Sequence, residues 1–168
     1  PEGISFLKRE KYLDGDLVQG KEIYKSFIDK VDSDIYILAH TTSPFIKPST
    51  IKNGVSKLLE GDHDSALSVQ KKQTFAWYDN APLNYHLNDI PRTQDIKPVY
   101  LETSGYFMFN KNVFIDYGTR VGLNPYLQEV NDIESIDIDT REDYEFAIKL
   151  SSFLDIKQDG GIKNDNGN

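Results

Sequence analysis

An α/β fold built on a largely parallel sheet is what this 168-residue sequence predicts, and three features predict it. Ile35 to Ala39 (I-Y-I-L-A) is a continuous apolar run of the kind a central strand shows when both its faces are covered. Segments with apolar residues at helical spacing flank it, so helix and strand alternate through the first third of the chain. The middle of the chain is rich in strand-like and loop-like stretches and reads as a hairpin and loop arm, residues 73–103, inserted into the sheet.

Taken in order, Ile4-Ser5-Phe6-Leu7 reads as a short strand. From Gly20 to Val31 the apolar residues Ile23, Phe27 and Val31 recur every fourth position, with Tyr24 and Ile28 beside them. That stripe marks an amphipathic helix, and Asp32-Ser33-Asp34 breaks it. The apolar strand follows and ends in the polar turn His40-Thr41-Thr42-Ser43-Pro44. Pro48-Ser49-Thr50 opens a second helix carrying Ile51, Val55, Leu58 and Leu59 on one stripe, weakened a little by Gly54 and ended by Gly61-Asp62.

Ala66, Leu67 and Val69 form the core of a strand, and Thr74 to Tyr78 reads as another before the turn Asp79-Asn80. Asn84 to Pro98 is a polar loop long enough to imply a functional or interface role. Ser104 to Phe109 resumes a buried strand, Asn110 to Tyr117 is a short helix closed by Gly118, and Leu127 and Val130 flank a further strand. A last helix runs from Arg141 to about Leu154, with Tyr144, Ala147, Ile148, Ser151 and Leu154 on one face. Residues 1–156 therefore read as one domain and 157–168, where Ile162 is the lone apolar residue, as a disordered tail.

A hydrophobic content of 38% with 12% aromatics is that of a globular chain. With 27 acids against 19 bases the net charge is −8, which repels a polyanion and argues against a nucleic-acid partner. There is no cysteine, so disulfides, thiolate zinc sites and cysteine nucleophiles are excluded. No run approaches the roughly 18 apolar residues of a membrane span, and no signal-peptide pattern opens the chain. A cytoplasmic protein without a membrane partner is the expectation. The opening Pro1-Glu2-Gly3 lacks an initiator Met and reads as a processed or truncated N-terminus.

The most chemically informative stretch is Glu134 to Asp143, E-S-I-D-I-D-T-R-E-D. If it is a strand, Ile136 and Ile138 turn to the core and Asp137 and Asp139 share the other face, roughly 7 Å apart. Thr140 and Asp143 then make an S/T-x-x-D helix start. Ligands of open α/β sheets sit at the carboxyl ends of strands, and two carboxylates there suit Mg²⁺, which keeps waters and takes one or two protein carboxylates. The same alternation also describes a half-exposed edge strand whose acids favour the following helix dipole.

Several motifs, in order, carry a resemblance. They are Thr42-Ser43-Pro44 after an apolar strand, Asp64-Ser65-x-x-Ser68-Val69, Pro91-Arg92-x-Gln94-Asp95, Glu102-x-x-Gly105, Arg120-x-Gly122 and Ser135-Ile136-Asp137-Ile138-Asp139-Thr140, with Arg9-x-x-x-Leu13-x-x-Asp16 near the start. Together they resemble the acylneuraminate cytidylyltransferases, relatives of the 3-deoxy-manno-octulosonate cytidylyltransferases. The resemblance implies a Rossmann-like mixed sheet of the nucleotide-diphospho-sugar transferase type, with the inserted arm serving dimerisation or substrate binding in a homodimer. It departs from the family in two places. Nothing in the chain matches the strand and Gly/Lys/Arg-rich loop that wraps the nucleotide triphosphate, so the chain is expected to be N-terminally truncated and inactive alone. His40 and Ile46 stand where the family usually has a glutamine and an arginine, which puts the identity of the sugar in question.

The implied reaction is attack of a 2-keto sugar acid's anomeric hydroxyl on the α-phosphorus of CTP, with release of pyrophosphate and Mg²⁺ held by Asp137 and Asp139. His40, Thr42 and Ser43 would meet the sugar acid, and Arg92, Gln94, Glu102, Arg9 and Arg120 are further substrate-binding candidates by motif position. Each has a plainer reading. His40 can be a hydrogen-bonded structural residue, Arg92 a loop charge or interface salt bridge, and Glu102 an exposed strand-end acid. Tyr106 and Phe107 are pocket walls or simply core. A non-catalytic module that binds a sugar acid or a metal, or serves dimerisation alone, is the alternative to an enzyme.

Overall fold

The computed structural model describes residues 3–154. The tail expected at 157–168 lies outside the described residues. In chain order the elements are α1 (Gly20–Ile28), β1 (Ile35–Ala39), α2 (Pro48–Leu59), β2 (Ser65–Lys72), β3 (Trp77–Tyr78), β4 (Ala81–Pro82), β5 (Val99–Asn110), α3 (Lys111–Tyr117), β6 (Pro125–Glu129) and α4 (Arg141–Leu154). β1, α2 and α4 begin and end where hydrophobic spacing and cap residues place them. Ile4 to Leu7, expected as a strand, pairs with nothing and is exposed.

The main sheet has the order β1-β5-β2-β6. β1 and β2 both run antiparallel to β5, and β6 runs parallel to β2. The sheet is thus mixed, as the family resemblance implies, with β5 the antiparallel strand that helix–strand alternation alone does not predict. The reason is local: β2 leaves the sheet at Lys72, the arm turns back, and β5 re-enters opposite that same residue at Val99. No crossover intervenes, so β5 has to run the other way.

Side chains alternate along β5 and split the core in two. Tyr106 and Met108 face α2, packing with Leu58, Ala66, Ile51 and Val55. Phe109 faces the opposite way, with Tyr36, Val113 of α3 and Ile28 of α1, and Phe107 lies with Leu67, Val69 and Leu38 on that second side. Gly54 sits at the closest approach of α2 to the sheet, where an added β-carbon would stand 2.6 Å from the Tyr106 hydroxyl and 3.1 Å from Met108. Its role is close packing, not a weak point in the helix.

β5 carries an irregularity opposite Ser68. Leu67 pairs with Phe107 but Val69 pairs with Glu102, so Ser68 alone faces the stretch Thr103 to Tyr106. Ser104 takes a positive φ of 56° there. Ser68 Oγ fills the gap by accepting hydrogen bonds from Thr103 Oγ1 (2.9 Å) and the Tyr106 N–H (3.1 Å).

In the arm, the strand expected over Thr74 to Tyr78 shrinks to Trp77–Tyr78 paired with Ala81–Pro82. Asp79 and Asn80 both have positive φ, the requirement of a tight two-residue hairpin. Asn84 ties the long loop down, accepting from the Ala76 N–H and donating to the carbonyls of Thr74 and Lys97. No helix among the described residues is long and apolar enough to cross a membrane.

Candidate functional site

Two separated stretches meet beyond the carboxyl end of β1. The Ile138 N–H donates to the Thr42 carbonyl at 2.8 Å, and the buried Ser43 donates from Oγ to Asp137 Oδ1 at 3.4 Å. The acidic segment is therefore held against the loop after β1, but it is not the strand its alternation predicts. Residues 132–135 form a turn, 136–139 join no ladder, and α4 begins at Arg141. A turn on one side and a helix cap on the other bound the segment, and the Ile138 N–H is taken by the Thr42 carbonyl of a loop, not by a strand. Ile136, Asp137 and Ile138 are half-buried and Asp139 is exposed.

The helix start at Thr140 forms as its residues imply. Asp143 Oδ2 accepts from the N–H of Thr140 (2.9 Å), from Thr140 Oγ1 (2.8 Å) and from the N–H of Asp139 (3.2 Å). The Thr140 hydroxyl above all, then those backbone N–H groups, holds the Asp143 carboxyl below its ordinary value. Asp143 is thus occupied with capping, whereas Asp137 and Asp139 form no ion pair among the described residues.

No cluster of three or more acidic, histidine or cysteine side chains that could hold a metal occurs among the described residues. An all-protein cage is accordingly not built here. A pair of carboxylates without cation partners, one of them exposed, fits an ion such as Mg²⁺ that keeps several waters and is completed by substrate phosphates.

A second set of side chains gathers on Phe107. The Arg120 guanidinium carbon lies 3.5 Å from the Phe107 ring centroid, close enough for a strong cation–π contact, and its Nη1 donates to the Tyr24 hydroxyl at 2.9 Å. The His40 ring stands 6.0 Å from the same phenyl ring. Arg120 has no carboxylate partner among the described residues, and beside it opens a cavity of about 430 Å³ that Lys21, Tyr24 and Thr119 also line.

The remaining candidates lie apart from these. Arg9 pairs with Asp14 in an exposed turn near the N-terminus, and Arg92 pairs with Asp95 at 2.7 Å within the arm. Gln94 and Glu102 are exposed, Glu102 on the stretch of β5 that faces β2 beyond the irregularity. Tyr106 is wholly buried core rather than a pocket wall.

Two acids whose motifs the sequence marks have roles that it does not show. Asp64 Oδ2 accepts from the N–H groups of Leu123 (2.7 Å) and Asn124 (3.1 Å), and Ser65 Oγ donates to Asp64 Oδ1 while accepting from the Gly122 N–H. Together they shape the loop that carries Arg120. Glu134, 5% exposed, bonds to the start of α2 through Lys47 and Thr50. Its position directly before the Ile-Asp alternation was the one available signal.

The mixed sheet, with hydroxyl and carboxylate groups converging at the carboxyl end of β1, is a nucleotide-sugar transferase fold. The sequence model of the cytidylyltransferase family matches residues 3–162, and the chain belongs to that family. It is 25% identical over 150 residues to the N-acylneuraminate cytidylyltransferases of Streptococcus agalactiae serotype III (strain NEM316) and serotype V (strain ATCC BAA-611 / 2603 V/R), an overlap of 84% of this chain and 36% of each relative. The chain thus spans little more than a third of the length of these curated relatives. Its fold is similar to that of a CMP:2-keto-3-deoxy-manno-octonic acid synthetase solved with CTP, with a TM-score of 0.59 and 13% identity, covering 83% of this chain and 70% of that one.

Proposed function

We propose that this chain is the sugar-acid- and metal-binding portion of a cytidylyltransferase that joins CMP from CTP to a 2-keto sugar acid of the sialic-acid type and releases pyrophosphate. The observation that supports the reading is the joint between the Thr42-Ser43 loop and the acidic segment, where Ser43 Oγ donates to Asp137 and the Ile138 N–H donates to the Thr42 carbonyl, beyond the carboxyl end of β1, the kind of rim at which α/β sheets bind ligands. The relatives' names point the same way, since they act on N-acylneuraminate and on 2-keto-3-deoxy-manno-octonic acid.

Asp137 and Asp139 would hold Mg²⁺, which when bound neutralises phosphate charge and orients the reacting groups. Thr42 and His40 would contact the sugar, Ser43, buried and bonded to Asp137, would do so only if that contact opened, and Arg120 would receive the sugar's carboxylate, a role for which a planar guanidinium is suited. Arg9 and Arg92 are tied to Asp14 and Asp95 in the structure, so their substrate roles would require those pairs to open. Gln94 and Glu102 would reach substrate only from the arm side. A homodimer formed through the arm is part of the proposal, supported by the exposure of Trp77, Tyr78, Leu83, Leu87 and Ile90. A cytoplasmic location follows from the substrate, CTP.

Pyrophosphate release by the full-length protein against a panel of 2-keto sugar acids tests the reading. Asp139→Asn is expected to lower turnover at least a hundredfold at saturating Mg²⁺ with the fold intact. Full activity in that variant removes the metal role. Titration calorimetry of full-length protein with CTP separates the enzyme from a module that binds sugar acid alone, because only the enzyme binds nucleotide.

A further inference from the structure

The Asp137–Asp139 segment is anchored from one side by a residue that takes no part in the reaction proposed above. Glu134 is buried, yet it is fully engaged. Its Oε1 accepts from the Lys47 N–H at 3.1 Å and from the Thr50 hydroxyl. Its Oε2 accepts from Asn131 Nδ2 at 3.0 Å and lies 3.5 Å from Lys47 Nζ. Asn131 completes the turn, its Oδ1 accepting from the N–H groups of Ile133 (3.0 Å) and Glu134 (2.9 Å).

Lys47 is the N-cap of α2, Pro48 begins the helix and Thr50 lies in its first turn. A carboxylate is therefore supplied to the start of α2 from a distant part of the chain, where the helix dipole favours negative charge. The Lys47 residue it grips ends the same loop that carries Thr42 and Ser43. Those two bond to Ile138 and Asp137. One loop is thus stapled to the acidic segment at both of its ends, and Glu134 is the staple at the α2 end.

We propose that Glu134 is a positioning residue for the Asp137–Asp139 pair: by tying residues 131–134 to the start of α2 it fixes the register in which the next residues pass the end of β1. The inference rests on the metal reading of that pair. A burial-stable cap alone needs only the Oε1 contacts. The Oε2 contacts to Asn131 reach into the turn that feeds the acidic segment, and these are what a cap would not require. Side chains that orient metal ligands in this way are worth roughly 10- to 100-fold in metal affinity.

The test is Mn²⁺ affinity of this chain, read by electron paramagnetic resonance of the free ion, beside its urea unfolding midpoint. Glu134→Gln keeps an oxygen for Lys47 and Thr50 but offers Asn131 a donor where it had an acceptor. Asn131→Ala leaves the α2 contacts untouched. Both are expected to weaken Mn²⁺ binding about tenfold in protein that still folds, the Asn131 variant with a lowered midpoint because two turn N–H groups and Glu134 Oε2 lose their partner; Asp139→Asn is expected to abolish binding. Parent-like Mn²⁺ affinity in both the Glu134 and Asn131 variants, with binding lost in Asp139→Asn, overturns the role of Glu134 and leaves the metal reading standing. No Mn²⁺ binding by the parent protein, or undiminished binding by Asp139→Asn, overturns the metal reading and this inference with it.

Discussion

Gly122 has no side chain because the Asp64 carboxylate occupies the space a β-carbon would fill, all the nearest contacts being Asp64 atoms. The carboxylate cannot retreat, since Ser65 Oγ, the Leu123 N–H and the Asn124 N–H all donate to it. Gly122→Ala is therefore expected to destabilise the fold by about 1–3 kcal/mol, the usual cost of forcing atoms into a filled site. Combining it with Asp64→Ala should restore little, because the two N–H groups lose their acceptor. Urea unfolding of the single and double variants measures both effects, and a Gly122→Ala protein of parental stability would contradict the packing.

The same carboxylate makes stability depend on pH. Partial burial alone would raise the pKa of Asp64, but the hydrogen bonds from Ser65, Asn124 and Leu123 together outweigh it and hold the folded carboxyl below its ordinary value. Asp143 is shifted in the same direction, by the Thr140 hydroxyl first. A carboxyl with a depressed folded value binds protons more readily when unfolded, so its contribution is present above the unfolded value and is lost as pH falls through the folded one. Stability should be level from about pH 6 to 5 as far as these groups are concerned, then fall below about pH 4. Asp64→Asn should flatten the acid limb of a plot of urea midpoint against pH; an unchanged limb would mean the carboxylate is not held as described.

Much of this architecture is written locally in the chain. The apolar run of β1, the Thr140–Asp143 cap, Asp79-Asn80 and the Gly118 helix end are short-range signals, and each forms where its residues indicate. What the sequence concealed is long-range. The Ile-Asp alternation fits a strand on its own, but the segment bonds to the loop after β1 and joins no ladder. The reversal of β5 depends on how the arm returns, which no periodicity encodes. Several motif positions that carry the family resemblance are fittings for the sheet: Asp64, Ser65 and Gly122 shape one loop, and Ser68 fills the irregularity of β5 beside Gly105, where a β-carbon would stand 2.9 Å from its hydroxyl. Motif spacing marks such positions without distinguishing a ligand contact from a packing contact.

Tyr106 offers a sharper stability test. Its hydroxyl is buried and finds no hydrogen-bond partner among the described residues, and burial pushes its pKa well up. An unsatisfied buried hydroxyl costs about 1–3 kcal/mol of desolvation, so Tyr106→Phe should be neutral or stabilising. Gly54→Ala in the parent protein would bring a methyl group 2.6 Å from that oxygen and should destabilise. In the Tyr106→Phe background the shortest contact is gone, only the flexible Met108 side chain at 3.1 Å has to give, and alanine's better helix propensity, about 1 kcal/mol over glycine, begins to count. The double-mutant cycle should therefore show strong favourable coupling. Additive effects would mean that the hydroxyl and Gly54 do not compete for the same space.

Arg120 separates recognition from packing. Its guanidinium sits over Phe107 with one N–H spent on Tyr24, leaving its other donors without a carboxylate partner among the described residues. Arg120→Lys keeps the charge but loses the plane and the paired donors, and a compact ammonium cannot grip a carboxylate by two parallel bonds. If Arg120 receives the sugar acid's carboxylate, Arg120→Lys in the full-length protein should raise the KM for the sugar acid about tenfold or more and leave the KM for CTP unchanged. Tyr24→Phe should have a smaller effect, because stacking on Phe107 still orients the guanidinium. A purely structural Arg120 would instead lower the unfolding midpoint in both variants with no selective change in KM. The split between the two KM values decides between these outcomes, since loss of folded protein lowers the apparent rate for both substrates alike.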